Sequence, residues 1–266
     1  MDSLVLYCKS YINDLDRVEK LAYSIQKYNK DNLRFYVSVP KQDLNIFKKR
    51  NLPSVELISD EEIQQVNSNS RKWEQQQIVK SNFWKLNLCE NYLCIDSDSY
   101  FIKPFFKKDF IAYDDVPYTV MHEQKELFEW AHIHLHFNPQ EGFNNEKDQV
   151  MNLFNRKLNK RWDFGPSPTI WSRKVWKSLE ENYIIPNELT FSKLIEYCPS
   201  EFTWYGEALL AFKPFEILPV QPLFKVFHYP LQYIQAREQK YTEEVYSKLY
   251  YGIVLQSNFN APLNYE

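Results

Sequence analysis

Tyr92-Leu93-Cys94-Ile95-Asp96-Ser97-Asp98-Ser99 is the stretch on which the reading of this chain turns. Four apolar residues in a row fit a strand buried on both faces, as in a parallel sheet flanked by helices. Two carboxylates, two residues apart, follow at its end. In open α/β sheets ligands bind outside the carboxyl ends of the strands. Carboxylates that share a cation with phosphate oxygens are also how proteins hold Mg2+ or Mn2+. A strand-end turn built from Asp and Ser is the plainer alternative.

Upstream, strand and helix signals alternate. Leu4–Cys8 is a short apolar run, and Leu15, Val18, Leu21, Ala22 and Ile25 recur at helical spacing between Asp14 and Tyr28. Asn13 or Asp14 is the expected N-cap. Phe35–Val39 reads as a second strand ended by Pro40, 42–50 as a helix, Val55–Ile58 as a strand and 72–88 as a long helix. This alternation predicts a parallel sheet covered by helices. Downstream the pattern loosens to a strand at Tyr118–Met121 and helices over Glu146–Leu158, 172–181, 187–197 and 242–250. No repeat or linker interrupts the chain, which predicts one α/β domain over 1–266.

The chain has 266 residues, 44% hydrophobic and 25% charged, which is globular composition. It has only four glycines, Gly142, Gly165, Gly206 and Gly252, no two of them close enough to form a glycine-rich phosphate cradle. Positions with positive φ must therefore use these four, or Asn and Asp. A net charge of −3 argues against nucleic-acid binding. Cys8, Cys89, Cys94 and Cys198 show no CxxC spacing and read as reduced, mostly buried thiols. The start, MDSLVLYCKSY, lacks a basic signal-peptide region, and no apolar run reaches the ~18 residues of a membrane span. The expectation is a cytoplasmic protein without a transmembrane segment. The aromatic, mildly basic stretch 224–251 reads as core packing, with peripheral membrane contact left open.

The Asp96-Ser97-Asp98 segment resembles the DxD motif of GT-A glycosyltransferases, whose single domain is a Rossmann-like, mostly parallel sheet flanked by helices. A narrower resemblance is to the DUF6492 family of bacterial glycosyltransferase-like proteins. It rests on Trp73-Glu74-Gln75-Gln76-Gln77-Ile78-Val79-Lys80, on Asp96-Ser97-Asp98 and on Lys103-Pro104-Phe105. The resemblance implies a nucleotide-binding half over 1–102 and an acceptor-binding half over 103–266, with a C-terminal helical segment. It implies a nucleotide-diphosphate sugar donor of UDP or GDP type, Mn2+ or Mg2+, and a glycan or lipid-linked glycan acceptor in polysaccharide biosynthesis.

Residue by residue, the resemblance puts Asp98 on the metal and Asp96 on the metal or ribose, with His228 completing the metal shell. Gln76 and Lys80, one helical turn apart, would meet the donor. Gly165 and Trp171 would line the sugar pocket, with Trp171 stacking on a sugar face. Glu207, taken to lie just after Gly206 at a helix start, is the expected catalytic base, and Glu201 its substitute. His132, His134 and His136, read as a strand, would share one face. A zinc site, an acceptor or phosphate contact and an ordinary polar face remain open for them. The rival readings are a catalytically inactive GT-A-like binding protein and a HAD-type phosphatase, whose motif belongs on a first strand.

Overall fold

The computed structural model describes residues 1–64, 72–157, 160–257 and 261–266. Strands β1 (Asp2–Lys9), β2 (Phe35–Val39), β3 (Val55–Ser59) and β4 (Cys89–Cys94) alternate with helices α1 (Leu15–Tyr28), α2 (Leu44–Arg50), α3 (Asp60–Ile63) and α4 (Lys72–Asn82). The main sheet runs β3-β2-β1-β4-β7, where β7 is Thr169–Ser172. The first four strands are parallel and β7 is antiparallel to β4. The mixed α/β expectation, a mostly parallel sheet flanked by helices, is thus met.

Period-two alternation explains the two cores. Leu4, Leu6 and Cys8 of β1 face one cluster with Val37, Leu93 and the buried α1 residues Val18, Leu21, Ala22 and Ile25. Val5 and Tyr7 face the other with Tyr92, Cys94, Phe83 and Trp171. Over that second face lie α4, α7 (Arg173–Leu179), α8 (Phe191–Tyr197) and α9 (Glu201–Phe212). All four cysteines are free and buried.

Directly after Asp98 the chain leaves the main sheet. Strand β5 (Ser99–Phe101) joins a small sheet in the order β5-β10-β9, with β9 at Phe224–Phe227 and β10 at Gly252–Leu255. β10 is antiparallel to β5 and parallel to β9, and β6 (Tyr118–Val120) pairs in parallel with β8 (Leu218–Val220) in a separate two-stranded ribbon. A Cβ at Gly252 would lie 2.2 Å from the Phe224 ring and 2.4 Å from the Tyr100 carbonyl oxygen, so this crossing needs glycine. The acidic motif therefore sits at the seam between the two sheets.

Several local readings change. The helix predicted over 72–88 is α-helical only to Asn82 and tightens to a 3-10 turn over Phe83–Leu86. The predicted Glu146–Leu158 helix is α6, Gln140–Leu153, and residue 158 lies outside the described residues. The predicted 172–181 helix is α7, Arg173–Leu179, capped by Ser172 and continued by a wider helical turn over Glu180–Ile184. Strand β7 just before it went unread because its four residues are buried on both faces and show no alternation. The histidine segment is not a strand. His132 and His134 lie on α5 (Lys125–Leu135), two places apart and so on different faces, and His136 is the left-handed residue that ends the helix. None of the glycines has positive φ. Asn32, Asn51, Asn87, Asn155, Asp114 and Asp115 do, and so do Ser54, Gln124, His136, Glu188, Lys213 and Lys240. Among the described residues no helix is long and apolar enough to cross a membrane.

Candidate active site

Asp96 and Asp98 follow the last residues of β4, at the carboxyl edge of the parallel strands. The Asp96 backbone N–H donates to Ser167 Oγ at 2.9 Å, tying the motif to the loop that enters β7. Ser97 Oγ donates to Asp14 Oδ2 at 3.1 Å. Asp14 precedes α1 as expected, but its carboxylate makes no capping bond to the helix and is turned to the motif instead. The Asp98 carbonyl oxygen accepts from Leu255 N at 2.9 Å, and its Oδ2 accepts from Ser257 N at 3.0 Å. Asp98 Oδ1 is buried without a hydrogen-bond partner among the described residues. Burial and the neighbouring Asp96 charge push the Asp98 carboxyl up to about 6.

Lys80 is almost fully buried and bridges two acids. Its Nζ donates to Asp96 Oδ1 and lies 3.5 Å from Glu201 Oε1. Burial opposes its charge, but Asp96 and Glu201 win and hold its pKa above the ordinary lysine value. Glu201 begins α9, where its backbone N–H donates to Gln77 Oε1 at 3.1 Å. Burial pushes the Glu201 carboxyl up, and Lys80 opposes. The α4 residue packed into this cluster is therefore Gln77, one place beyond the expected Gln76, and Gln76 is half-buried on the same helix. Gln77 and Lys80 are three apart and share a face.

Glu207 is not at a helix start. Helix α9 begins at Ser200's cap, where the Ser200 side chain accepts from Thr203 N, so Gly206 and Glu207 lie mid-helix. Glu207 is fully buried, and its two carboxylate oxygens accept from Arg156 Nε and Nη2 at 2.5 and 2.6 Å. A carboxylate held bidentately by arginine, out of solvent, is not free to take a proton from a substrate hydroxyl. Gly206 is needed for a different reason from the one expected, because a Cβ there would lie 1.9 Å from the Phe164 ring.

Trp171 is also displaced from its expected role. It is fully buried on β7, edge-on to Tyr92 and Trp176, so its faces are not available to a sugar. Gly165 precedes Pro166, which lines the adjoining cavity; its carbonyl oxygen is 2.8 Å from His122 Nε2, and its N–H donates to Asp163 Oδ1 at 3.3 Å. A Cβ at Gly165 would make only ordinary 3.6 Å contact with Phe202.

His228 follows β9 and Asp98 precedes β5, so β10 separates them by two strand spacings, about 10 Å of backbone. Among the described residues no group of three or more His, Cys, Asp and Glu side chains stands close enough to hold a metal ion. The expected shell of Asp96, Asp98 and His228 is thus not assembled. His228 instead shares a cavity of about 650 Å3 with His122, Trp130, Trp162, Pro166 and Lys225. Burial pulls its imidazole down to about 4, with Asp163 opposing. Asp163 is flanked by His122 Nε2 at 3.8 Å and Lys147 Nζ at 3.4 Å. Burial pushes its carboxyl up, but Lys147 and His122, with hydrogen bonds from Gln124 and the Gly165 N–H, outweigh it and hold it below the ordinary value.

The sequence reading missed this cavity's walls. Trp130 and Trp162 looked like any other tryptophans in a chain that is 17% aromatic. Helical spacing of Phe128, Ala131 and Leu135 was the available signal that Trp130 lies on a helix. No curated protein is significantly similar to the chain. Residues 3–246 match the family of unknown function DUF6492, nearly the whole length, and the chain belongs to that family.

Proposed function

We propose that this chain is a metal-dependent glycosyltransferase of GT-A type, moving a sugar from a nucleotide-diphosphate donor to a hydroxyl acceptor. One observation carries the reading. Asp98 presents a buried carboxylate oxygen that has no partner among the described residues, beside a second carboxylate at the carboxyl edge of a parallel sheet. A buried charge without a partner is costly, and a hard cation is the partner that oxygen donors of this kind suit. Asp98 and Asp96 would hold Mn2+ or Mg2+, which when bound supplies Lewis-acid stabilisation of a departing UDP- or GDP-type diphosphate.

The chain's own residues prepare that edge. Lys80 holds Asp96 in place and the Ser257 N–H orients Asp98, so neither carboxylate has to be ordered on binding. Of the two acids read as base, Glu207 is committed to Arg156. Glu201 remains, beside Asp96 through Lys80, with a carboxyl that burial raises and Lys80 opposes. An inverting course would use it on the acceptor hydroxyl, and a retaining course would need it only to orient the acceptor.

The test is calorimetric titration of UDP and GDP into the protein with and without Mn2+, followed by release of nucleoside diphosphate from the matching sugar donor. Metal-dependent binding that disappears in Asp98→Asn, together with turnover, supports the reading. Binding without turnover on any donor would favour an inactive binding protein. No Mn2+-dependent binding of either nucleotide refutes both.

A further inference from the structure

Two cavities adjoin across Lys225. The larger, about 650 Å3, has His122, Trp162, His228 and Tyr250 in its walls. The smaller, about 250 Å3, has His134, Gln235 and Tyr241. Trp130, Lys225 and Gln232 line both, so the two form one groove with these three side chains at its waist. The larger end is one residue from the acidic motif, because Pro166 lines it and Ser167 accepts from the Asp96 N–H.

The waist is built rather than incidental. Trp130 Nε1 donates to Gln235 Oε1 at 3.0 Å, and the ring stacks on Tyr229 with centroids 5.6 Å apart, which fixes its plane. Lys225 is half-buried on β9 and has no ion pair among the described residues. Its ammonium lies over aromatic rings, 5.6 Å from the centroid of Phe227 and 5.9 Å from that of Tyr246. Burial draws its pKa below the ordinary lysine value, and only Glu126 opposes. Glu126 borders the groove but forms no ion pair with Lys225, and Glu123 is already taken by Lys125 and Lys160. An ammonium partly withdrawn from water and without an ion-paired carboxylate among the described residues is a site suited to an anion. Amphipathic faces of Trp and Tyr, apolar with a polar tip, suit the C–H faces of sugars beside it.

We propose that this groove binds an anionic oligosaccharide, with its acidic group at Lys225 and sugar faces against Trp130 and Trp162. That the ligand is the acceptor rests on the transferase reading above; that it binds does not. The acidic group is a carboxylate or a phosphate ester, both of which a lysine ammonium accepts as a point charge.

The experiment titrates the whole chain, by calorimetry and saturation-transfer NMR, with uronate-bearing and phosphate-bearing oligosaccharides beside their neutral counterparts. An acidic member should bind at least about tenfold tighter than its neutral counterpart. Lys225→Met, which keeps the apolar stem, should remove that preference, about 1.4 kcal/mol. It should leave neutral binding unchanged, and Lys225→Arg should retain the preference. Whichever acidic class binds tighter identifies the source of the anion. Equal affinity for acidic and neutral members, a preference that survives in Lys225→Met, or no saturable binding of any acidic member overturns the proposal. Acidic-glycan binding without any Mn2+-dependent nucleotide binding keeps the groove and removes the transferase reading; the converse removes the groove alone.

Discussion

Gly206→Ala separates helix propensity from packing. Gly206 lies in the middle of α9, where alanine is favoured over glycine by about 0.8–1.0 kcal/mol. Propensity alone therefore predicts a more stable protein. The geometry predicts the reverse. A Cβ at this position would lie 1.9, 2.0 and 2.2 Å from Cδ2, Cγ and Cε2 of Phe164. Carbon contacts settle near 3.5–4.0 Å, so ring or helix must yield by at least about 1.6 Å. Phe164 is itself buried, with no solvent side to move into. Overpacking of this kind costs about 1–3 kcal/mol or more, and the helix gain offsets only part of it. A net loss of up to about 2 kcal/mol should lower Tm by up to roughly 8 °C for a domain of this size. The assay is a double-mutant cycle by guanidinium denaturation. With the ring removed in a Phe164→Ala background, the same Gly206→Ala change should stabilise, by up to about 1 kcal/mol. The same sign in both backgrounds would refute the reasoning. Phe164 stands between Asp163 and Gly165, so the single variant should also weaken ligand binding in the adjoining cavity.

Arg156→Met strands the Glu207 carboxylate in the core and should cost about 3–5 kcal/mol, whereas adding Glu207→Leu should recover most of it; urea midpoints decide. For Asp98, the folded-state carboxyl near 6 lies above its ordinary value of 3.8, so its contribution to stability is present below about 3.8 and is lost as pH rises through about 6. Asp98→Asn should accordingly match the parent near pH 4 and exceed it by up to about 3 kcal/mol at pH 7 without metal, in denaturation curves across that range. With Mn2+ at about 1,000 times Kd the order should reverse, because cation binding then stabilises by about 4.1 kcal/mol and only the parent keeps the charge. A constant difference across pH would refute the burial of this carboxyl.

The front half of the fold was legible because its signals are local. Leu4–Cys8, Phe35–Val39 and Tyr92–Ile95 are apolar runs, and the α1 stripe from Leu15 to Ile25 repeats every three to four residues. Each pattern is complete within a turn or two of chain, so the succession of strands and helices along the chain and the place of Asp96 and Asp98 at a strand end could be read directly. The back half misled for the same reason. Three histidines at period two imitate a strand, although the Phe128, Ala131 and Leu135 spacing around them makes a helix.

What local pattern cannot carry is partnership between distant residues. Glu207 looked like a base because the resemblance asks for an acid just after Gly206 at a helix start; Arg156, 51 positions away, takes that carboxylate instead. Trp171 looked like a sugar platform until the antiparallel pairing of β7 with β4 placed it between Tyr92 and Trp176. His228 and Asp98 looked like co-ligands until strand order put β10 between them. Composition, periodicity and the acidic pair thus suffice for an α/β sheet with carboxylates at its edge. Whether each buried charge meets a cation, an arginine or nothing depends on which loops and strands pack together, and that is decided only when the whole chain closes.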